Sequence, residues 1–497
     1  MGVGEIVVEK EGIREDLLKW KVKEVTKLAA LYDDAFHVVV ELLEDKDPQV
    51  RANALQVIKD LIKAGNLPPE RVGQVLKRVI ELTGDEEKVA LKAIEVLNEL
   101  LARGELSDDE YEMVTQALMD VVKRGMPILS EYAAEGLGKL GSVAVKIARR
   151  IIGWLFNIVR SSKDREVQSA AIATLTEMAY QTEDRALFNE IADKMADLIE
   201  HPDPYIRERA LMSIDRLLSK AHLLTKRSRI KVLKKSQSVS GDVKLAAMAN
   251  LIREKLEKVE ETGEEVITKE ELKKKLEISE YGPEDVERLL DAGKTEVVVE
   301  LAKIDQVVLS KILDMLSSED PMRRADALWV VSRLTTHLTP SDAYSVLPAL
   351  GEFLKSNNPW MRKTAAETMA DIYTLYPGTS QFFTSLLDVL LKSKKKRDAE
   401  GALELISSLW KRMPTPEFSK AIMLVVKDLL EEPSTRGVTL RYLAREAERL
   451  LEMDVETLKG LEEVLKGIYG VEGGKHDNII AALIDAISGI IQMKSTA

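Results

Sequence analysis

The chain has 497 residues, of which 45% are hydrophobic and 31% charged but only 5% aromatic, a stock that suits long helices better than sheets. The lack of cysteine excludes a disulfide framework, a thiolate metal site and a thiol nucleophile, and fits a cytoplasmic protein. A formal net charge of -12 excludes the broad basic footprint of a dedicated nucleic-acid binder, and the length exceeds one compact core, leaving several globular domains or a repeat array.

The opening residues, MGVGEIVVEKEG, show no basic-then-apolar leader pattern, and no run approaches eighteen apolar residues, so neither a signal peptide nor a membrane span is expected. Heavy use of Lys, Glu and Arg with few Asn and Gln gives a thermophile-like composition, in which ion-pair networks gain value with temperature. IREDLLKWKVKEVTKLAAL, residues 13–31, predicts one opening helix with the broad charged face of a terminal cap. An apolar run, AFHVVVELLE (35–44), then leads into DPQVRANAL from Asp47. Asp can cap the free N–H groups of a helix, and Pro at the next position forgoes a donor that would be orphaned anyway, so Asp47 marks a helix start. The same stretch resembles an EF-hand loop for three positions only, because Val50 and Gln56 stand where Gly and Glu are needed.

DPYIRERAL from Asp203, DPMRRADAL from Asp320 and NPWMRKTAA from Asn358 repeat the pattern, and weaker copies put starts near 47, 86, 126, 164, 203, 240, 320, 358, 395, 435 and 474. The spacing is close to 39 residues, with one interval of 80 that reads as two periods containing a degenerate copy. The eighth position holds Ala54, Ala93, Ala133, Ala171, Ala210, Ala247, Ala327, Ala365, Ala402, Tyr442 and Ala481. A small side chain there lets two helices cross at about 8–10 Å without a void. Each start also follows a second amphipathic run, such as FNEIADKMADLIE (188–200), so every period is expected to hold a helical hairpin.

In the copy at Met126, AAEGLGKLG places Gly136, Gly138 and Gly141 in a GxGxxG spacing. A dinucleotide fingerprint follows a strand and opens a helix, whereas this one follows SEYAAE and closes a helix, with Gly141 expected as its C′ cap. From Arg216 to Gly241 there are eight Lys/Arg and no Asp/Glu. Within that run Lys226, Arg227, Arg229, Lys231, Lys234 and Lys235 are candidates for gripping phosphates or an acidic partner, the plain reading being a solvated face; no aromatic is interleaved for base stacking.

Residues 256–300 lack the alanine register, and Glu254 to Glu300 hold sixteen acidic against eight basic residues. With Thr268 and Glu271 as a capping box, an acidic helical insert or degenerate repeat is expected there. Gly293-Lys294-Thr295 is half of a Walker A, but Arg288 occupies the place of the earlier glycine, so Gly293 is expected to be a helix C-cap. Tyr205, Met322 and Trp360 share the third position of three strong copies, where large side chains either anchor a partner or pack on the neighbouring repeat. KSKKKR at 392–397 forms a second basic cluster. The last helix, Asn478 to Met493, is polar only at Asn478, Asp485, Ser488 and Gln492; it is expected to be covered by another subunit, a partner or a fold-back, and at sixteen residues it is short for a membrane span.

The Asp-Pro-x-hydrophobic-Arg turns, Asp47 with Arg51, Asp203 with Arg207 and Asp320 with Arg324, and the apolar and alanine positions after them resemble the HEAT-repeat family of armadillo-like α-solenoids. Copies near 86, 126, 395, 435 and 474 lack the Asp-Pro pair. The resemblance implies an Asp–Arg ladder between adjacent repeats. It also implies an all-α, right-handed solenoid of about twelve helical hairpins, each touching only its neighbours. Residues 1–255 and 301–497 are then two solenoid halves about the 256–300 segment. The expected function is a non-enzymatic scaffold or adaptor that holds a protein partner on a concave face lined by the Asp-Pro helices. No catalytic residue or cofactor is implied, and five scattered histidines offer no metal spacing. The alternative is a chromosome-associated or nucleic-acid-binding protein using residues 216–241. No membrane partner is expected, and helix 478–493 is a candidate for self-association.

Overall fold

A computed structural model describes residues 9–239, 241–260, 270, 273–274, 276–412 and 416–496, and every regular element among them is helical. The capping chemistry works as the sequence implies. Asp47 accepts from the Gln49 N–H at 2.8 Å, Asp203 from Tyr205 at 3.0 Å, Asp320 from Met322 at 2.9 Å and Asn358 from Trp360 at 2.9 Å. Pro48, Pro204, Pro321 and Pro359 occupy the first helical turn. Each cap contributes about 1 kcal/mol.

The helices sort into two compact units, one over residues 1–268 and the other over 269–338 and 342–497. In the first, Pro48–Lys63, Glu87–Arg103, Pro127–Val143, Arg165–Gln181, Pro204–Leu217 and Val243–Glu260 are the second helices of successive hairpins, and each packs on the next. The first helices stand farther apart, with Arg185–Leu198 and Lys226–Gln237 the closest-packed pair. Closer spacing of the second helices makes them the inner layer of an α-solenoid.

The small-residue register accounts for that spacing. Ala54, Ala93, Ala133, Ala171, Ala210, Ala327, Ala365 and Ala402 are all fully buried. Three copies need correction. Ala247 is exposed, because the helix start lies at Asp242, whose carboxylate accepts from the Leu245 N–H; the eighth residue is then the buried Ala249. The copy read at 435 begins at Glu432 with Pro433, bringing Thr439 rather than Tyr442 to that position. The copy read at 474 begins at His476, bringing in Leu483 in place of the half-buried Ala481. In these three copies, none of which has an Asp-Pro pair, the register slips by two or three residues.

The opening helix is two helices, Lys10–Leu18 and Val22–Leu31, because Trp20 takes a left-handed φ of 60°; the Asn53 amide donates to the Leu17 carbonyl at 2.7 Å beside the break. In the second unit, the short hairpin Val286–Asp291 and Thr295–Ile304 buries Val286, Leu289, Leu290, Val298, Val299 and Leu301. Gly293, at φ 70°, ends its first helix as expected. Thr268 and Glu271 lie outside the described residues.

The apolar core around helix Lys396–Arg412 divides into two clusters. That helix gives Ala402, Leu405 and Leu409 to one and Leu403, Ile406 and Trp410 to the other, and among the described residues only half-buried Leu387, Leu391 and Phe418 touch both. The last helix runs over 20 residues, Asp477–Thr496, and is long and apolar enough to cross a membrane by length and composition. Its stripe of Ile480, Leu483, Ile487 and Ile490 is buried within the second unit, while Asn478, Asp485, Ser488 and Gln492 are all exposed. Thus the polar residues, though few, fall on the water-facing side, and an exposed strip of Ala482, Ala486, Gly489 and Met493 lies next to them.

Candidate partner-binding surface

The GxGxxG spacing serves packing. A Cβ on Gly136 would collide with the Asn98 side chain, one on Gly138 would come 2.6 Å from the Glu177 Cβ, and one on Gly141 would come 2.5 Å from the Met178 carbonyl oxygen. Helix Pro127–Val143 is therefore pressed between its two neighbours where no larger residue fits. Gly141 lies inside this helix, which ends at Ala144, and so is not the C′ cap expected.

The ladder implied by the resemblance is present in mixed form. Arg51 makes a fork to Asp85 in the next hairpin at 2.8 and 2.9 Å, Arg362 reaches Glu400 at 3.2 Å and Arg436 reaches Glu472 at 2.8 Å. Burial pulls the Asp85 carboxyl upward, but the Arg51 guanidinium and the Glu86 N–H outweigh it and hold the pKa below the ordinary value. Arg207 and Arg324 make no ion pair among the described residues. For Arg324, the next hairpin offers Asn357 and Asn358 in place of a carboxylate.

The basic run is largely taken up inside the protein. Arg216 pairs with Glu177 at 2.5 Å, Lys231 with Asp197 at 2.9 Å and Lys235 with Glu200 at 2.5 Å, and Arg229 is buried. Glu200 thereby holds the Lys235 ammonium above its usual pKa. Lys226, Arg227 and Lys234 remain exposed, too few to make a continuous track for phosphates. The sequence signal missed was a charge complement one period upstream: these partners lie 34 and 35 residues back.

The edge where each first helix turns into its second differs between the units. In the first, Gln49 accepts from Lys88, and Arg165 makes a fork to Asp203 at 3.0 and 3.1 Å with its guanidinium 5.5 Å from the Tyr205 ring. Tyr205 is thus half-buried against the neighbouring repeat. In the second unit, Met322 and Trp360 occupy the same register position in consecutive hairpins and remain 76% and 44% exposed. Helices Pro321–Ser332 and Pro359–Leu375 pack together, which puts the two side chains about 10 Å apart on one edge.

The next hairpin on this edge brings Lys395, Lys396 and Arg397, all exposed; Arg397 donates to Asn357 at 3.3 Å, beside the Trp360 helix start. Beyond it lies a groove of about 530 Å³ between the ends of helices Ser380–Lys392 and Pro416–Glu431, lined by Leu391, Val425 and Leu429 with Lys394, Asp428 and Glu432 at its rim. Val389 and Leu424, on the same two helices, are 58% and 65% exposed. Lys394 is held at a left-handed φ of 54°, a cost of about 1–2 kcal/mol for a residue with a Cβ. Two bonds maintain it: its carbonyl accepts from Ser434 at 2.8 Å and its ammonium pairs with Glu432 at 3.1 Å.

A family model described as HEAT repeat matches residues 36–65, the hairpin that contains Asp47 and Arg51. The hairpins that follow repeat its layout, and in this the chain resembles HEAT-repeat proteins. Among solved structures, the solenoid is similar to an archaeal HEAT-like repeats protein from Thermococcus onnurineus NA1, with 19% identity over 51% of this chain and 98% of that one and a TM-score of 0.35. It is also similar to yeast importin-beta, with 12% identity over 97% of this chain and 65% of that one and a TM-score of 0.40. No curated protein matches.

Proposed function

We propose that this HEAT-like solenoid is a non-enzymatic scaffold that binds a protein partner, and that the turn edge of the second unit is where it binds. The supporting observation is the pair Met322 and Trp360. A side chain left 76% exposed at the tip of one repeat and a tryptophan left 44% exposed at the same place on the next form an apolar row that contributes nothing to the protein's own core. Trp is among the residues that dominate binding hot spots when a partner removes them from water. Glu, Lys and Arg elsewhere on the repeats pair across hairpins, and so hold the stack that presents this row.

The test is affinity capture from a native extract with the wild-type chain and with Met322→Ser/Trp360→Ser, followed by identification of what is retained. The double variant is expected to lose a defined set of proteins while keeping its helical circular dichroism. An identical set on both baits would sink the assignment.

A further inference from the structure

Resting on the scaffold reading above, we infer that the partner element is an acidic segment with an apolar side chain on each flank, laid along the turn edge from Trp360 to the groove at Leu391, Val425 and Leu429. Three consecutive hairpin steps place the parts in order: the Met322 and Trp360 row, then Lys395, Lys396 and Arg397, then the groove. From Trp360 to the groove is two hairpin steps, about 20 Å at about 10 Å per packed helix, which about six extended residues cover, so that about eight include the apolar flanks.

The charges define the middle of the segment. Lys392 is paired with Asp388 at 2.7 Å and Lys394 with Glu432 at 3.1 Å, whereas Lys395, Lys396 and Arg397 have no carboxylate partner among the described residues. Three adjacent uncompensated cations next to an exposed tryptophan favour carboxylates on the ligand. The groove selects the flank. Its lining sets Lys392 and Lys394 against Asp428, Glu431 and Glu432. Both lysines are already paired, with Asp388 and Glu432, which leaves Asp428 and Glu431 to disfavour an acid while an apolar side chain fits over Leu391, Val425 and Leu429. Carboxylates therefore stop on the Trp360 side of the groove, which fixes the direction of the segment. The strained Lys394 sits at this changeover, its charge taken up by Glu432 at the groove. A polyphosphate fits less well: the basic stretch is short, the groove lining holds three carboxylates against two lysines that are already paired, and the whole chain is net negative.

The probe is a fluorescein-labelled peptide of about eight residues with Leu at both ends and Glu between, followed by fluorescence anisotropy at low and high salt. A Lys-for-Glu peptide and a single-stranded oligonucleotide of similar length run beside it. The acidic peptide is expected to bind best and to weaken with salt. Lys395→Glu/Lys396→Glu/Arg397→Glu should weaken it at least tenfold and remove most of the salt dependence, and Trp360→Ser should weaken it several-fold without changing that dependence. Circular dichroism of each variant checks that the helices are retained. Equal binding to wild type and the triple variant, or tighter binding of the oligonucleotide, overturns the inference. Absence of peptide binding while extract capture still depends on Trp360 overturns this ligand chemistry and leaves the scaffold reading standing.

Discussion

The two units use one turn motif to opposite effect. In the first unit, the residues just inside the helix start are drawn into neighbours: Gln49 to Lys88, Tyr205 under Arg165, and Asp203 into the same guanidinium. In the second, the inner rung survives, as Arg362 to Glu400 shows, but Met322 and Trp360 above it are left facing water. Cap and proline are common to both. The difference lies in the third residue and in whether the adjoining hairpin brings a long cation within reach, so an edge can change from glue to docking row by two substitutions without touching the core.

Four measurements sharpen or break this contrast. Arg51→Ala removes a fork whose two partners are mostly shielded, with side-chain exposures of 15% and 20%, and should cost the first unit about 2–3 kcal/mol in chemical denaturation. Part of that contribution is set by pH. Because the folded Asp85 pKa lies below its unfolded value of about 3.9, its stabilisation is complete above that value and is lost as the pH falls through the folded one. The Arg51→Ala penalty seen at pH 7 should therefore shrink in acid, and a penalty that stays constant from pH 7 to pH 3 would contradict the pairing.

Arg165→Ala should cost about 1 kcal/mol, since the guanidinium is largely exposed and contributes one surface fork and one contact over Tyr205. Met322→Ser and Trp360→Ser should each change stability by less than about 0.5 kcal/mol, the range of surface positions with no structural duty. A loss of 2 kcal/mol or more at Trp360 would mean that the second edge is glued like the first.

Most of the architecture is legible in the sequence because it is written in local chemistry. Wherever Asp or Asn precedes Pro, the start is right to the residue, and eight of the alanines chosen by counting from a start are fully buried. Counting fails at Asp242, Glu432 and His476, where proline or the acceptor is missing and an Ala-rich run such as Ala246-Ala247-Met248-Ala249 satisfies more than one register. The break at Trp20 is invisible because the Asn53 amide that donates to the Leu17 carbonyl beside it lies 36 residues away in sequence. The candidate surface is legible in part. Large residues at the third position are visible, but their exposure depends on the neighbour. The fate of the lysines after Thr225 depends on carboxylates one repeat earlier, and the groove depends on how far two first helices splay.

The divided core around helix Lys396–Arg412 has a mechanical meaning. A stack whose apolar interior is continuous shares a load among its layers, whereas here tension along the second unit must cross one helix and three half-covered side chains, Leu387, Leu391 and Phe418. Stretching would open that seam first, and the groove beside Leu391 would widen with it. Grip at this place and tension in the chain are then coupled: a ligand wedged there resists extension, and extension loosens the ligand.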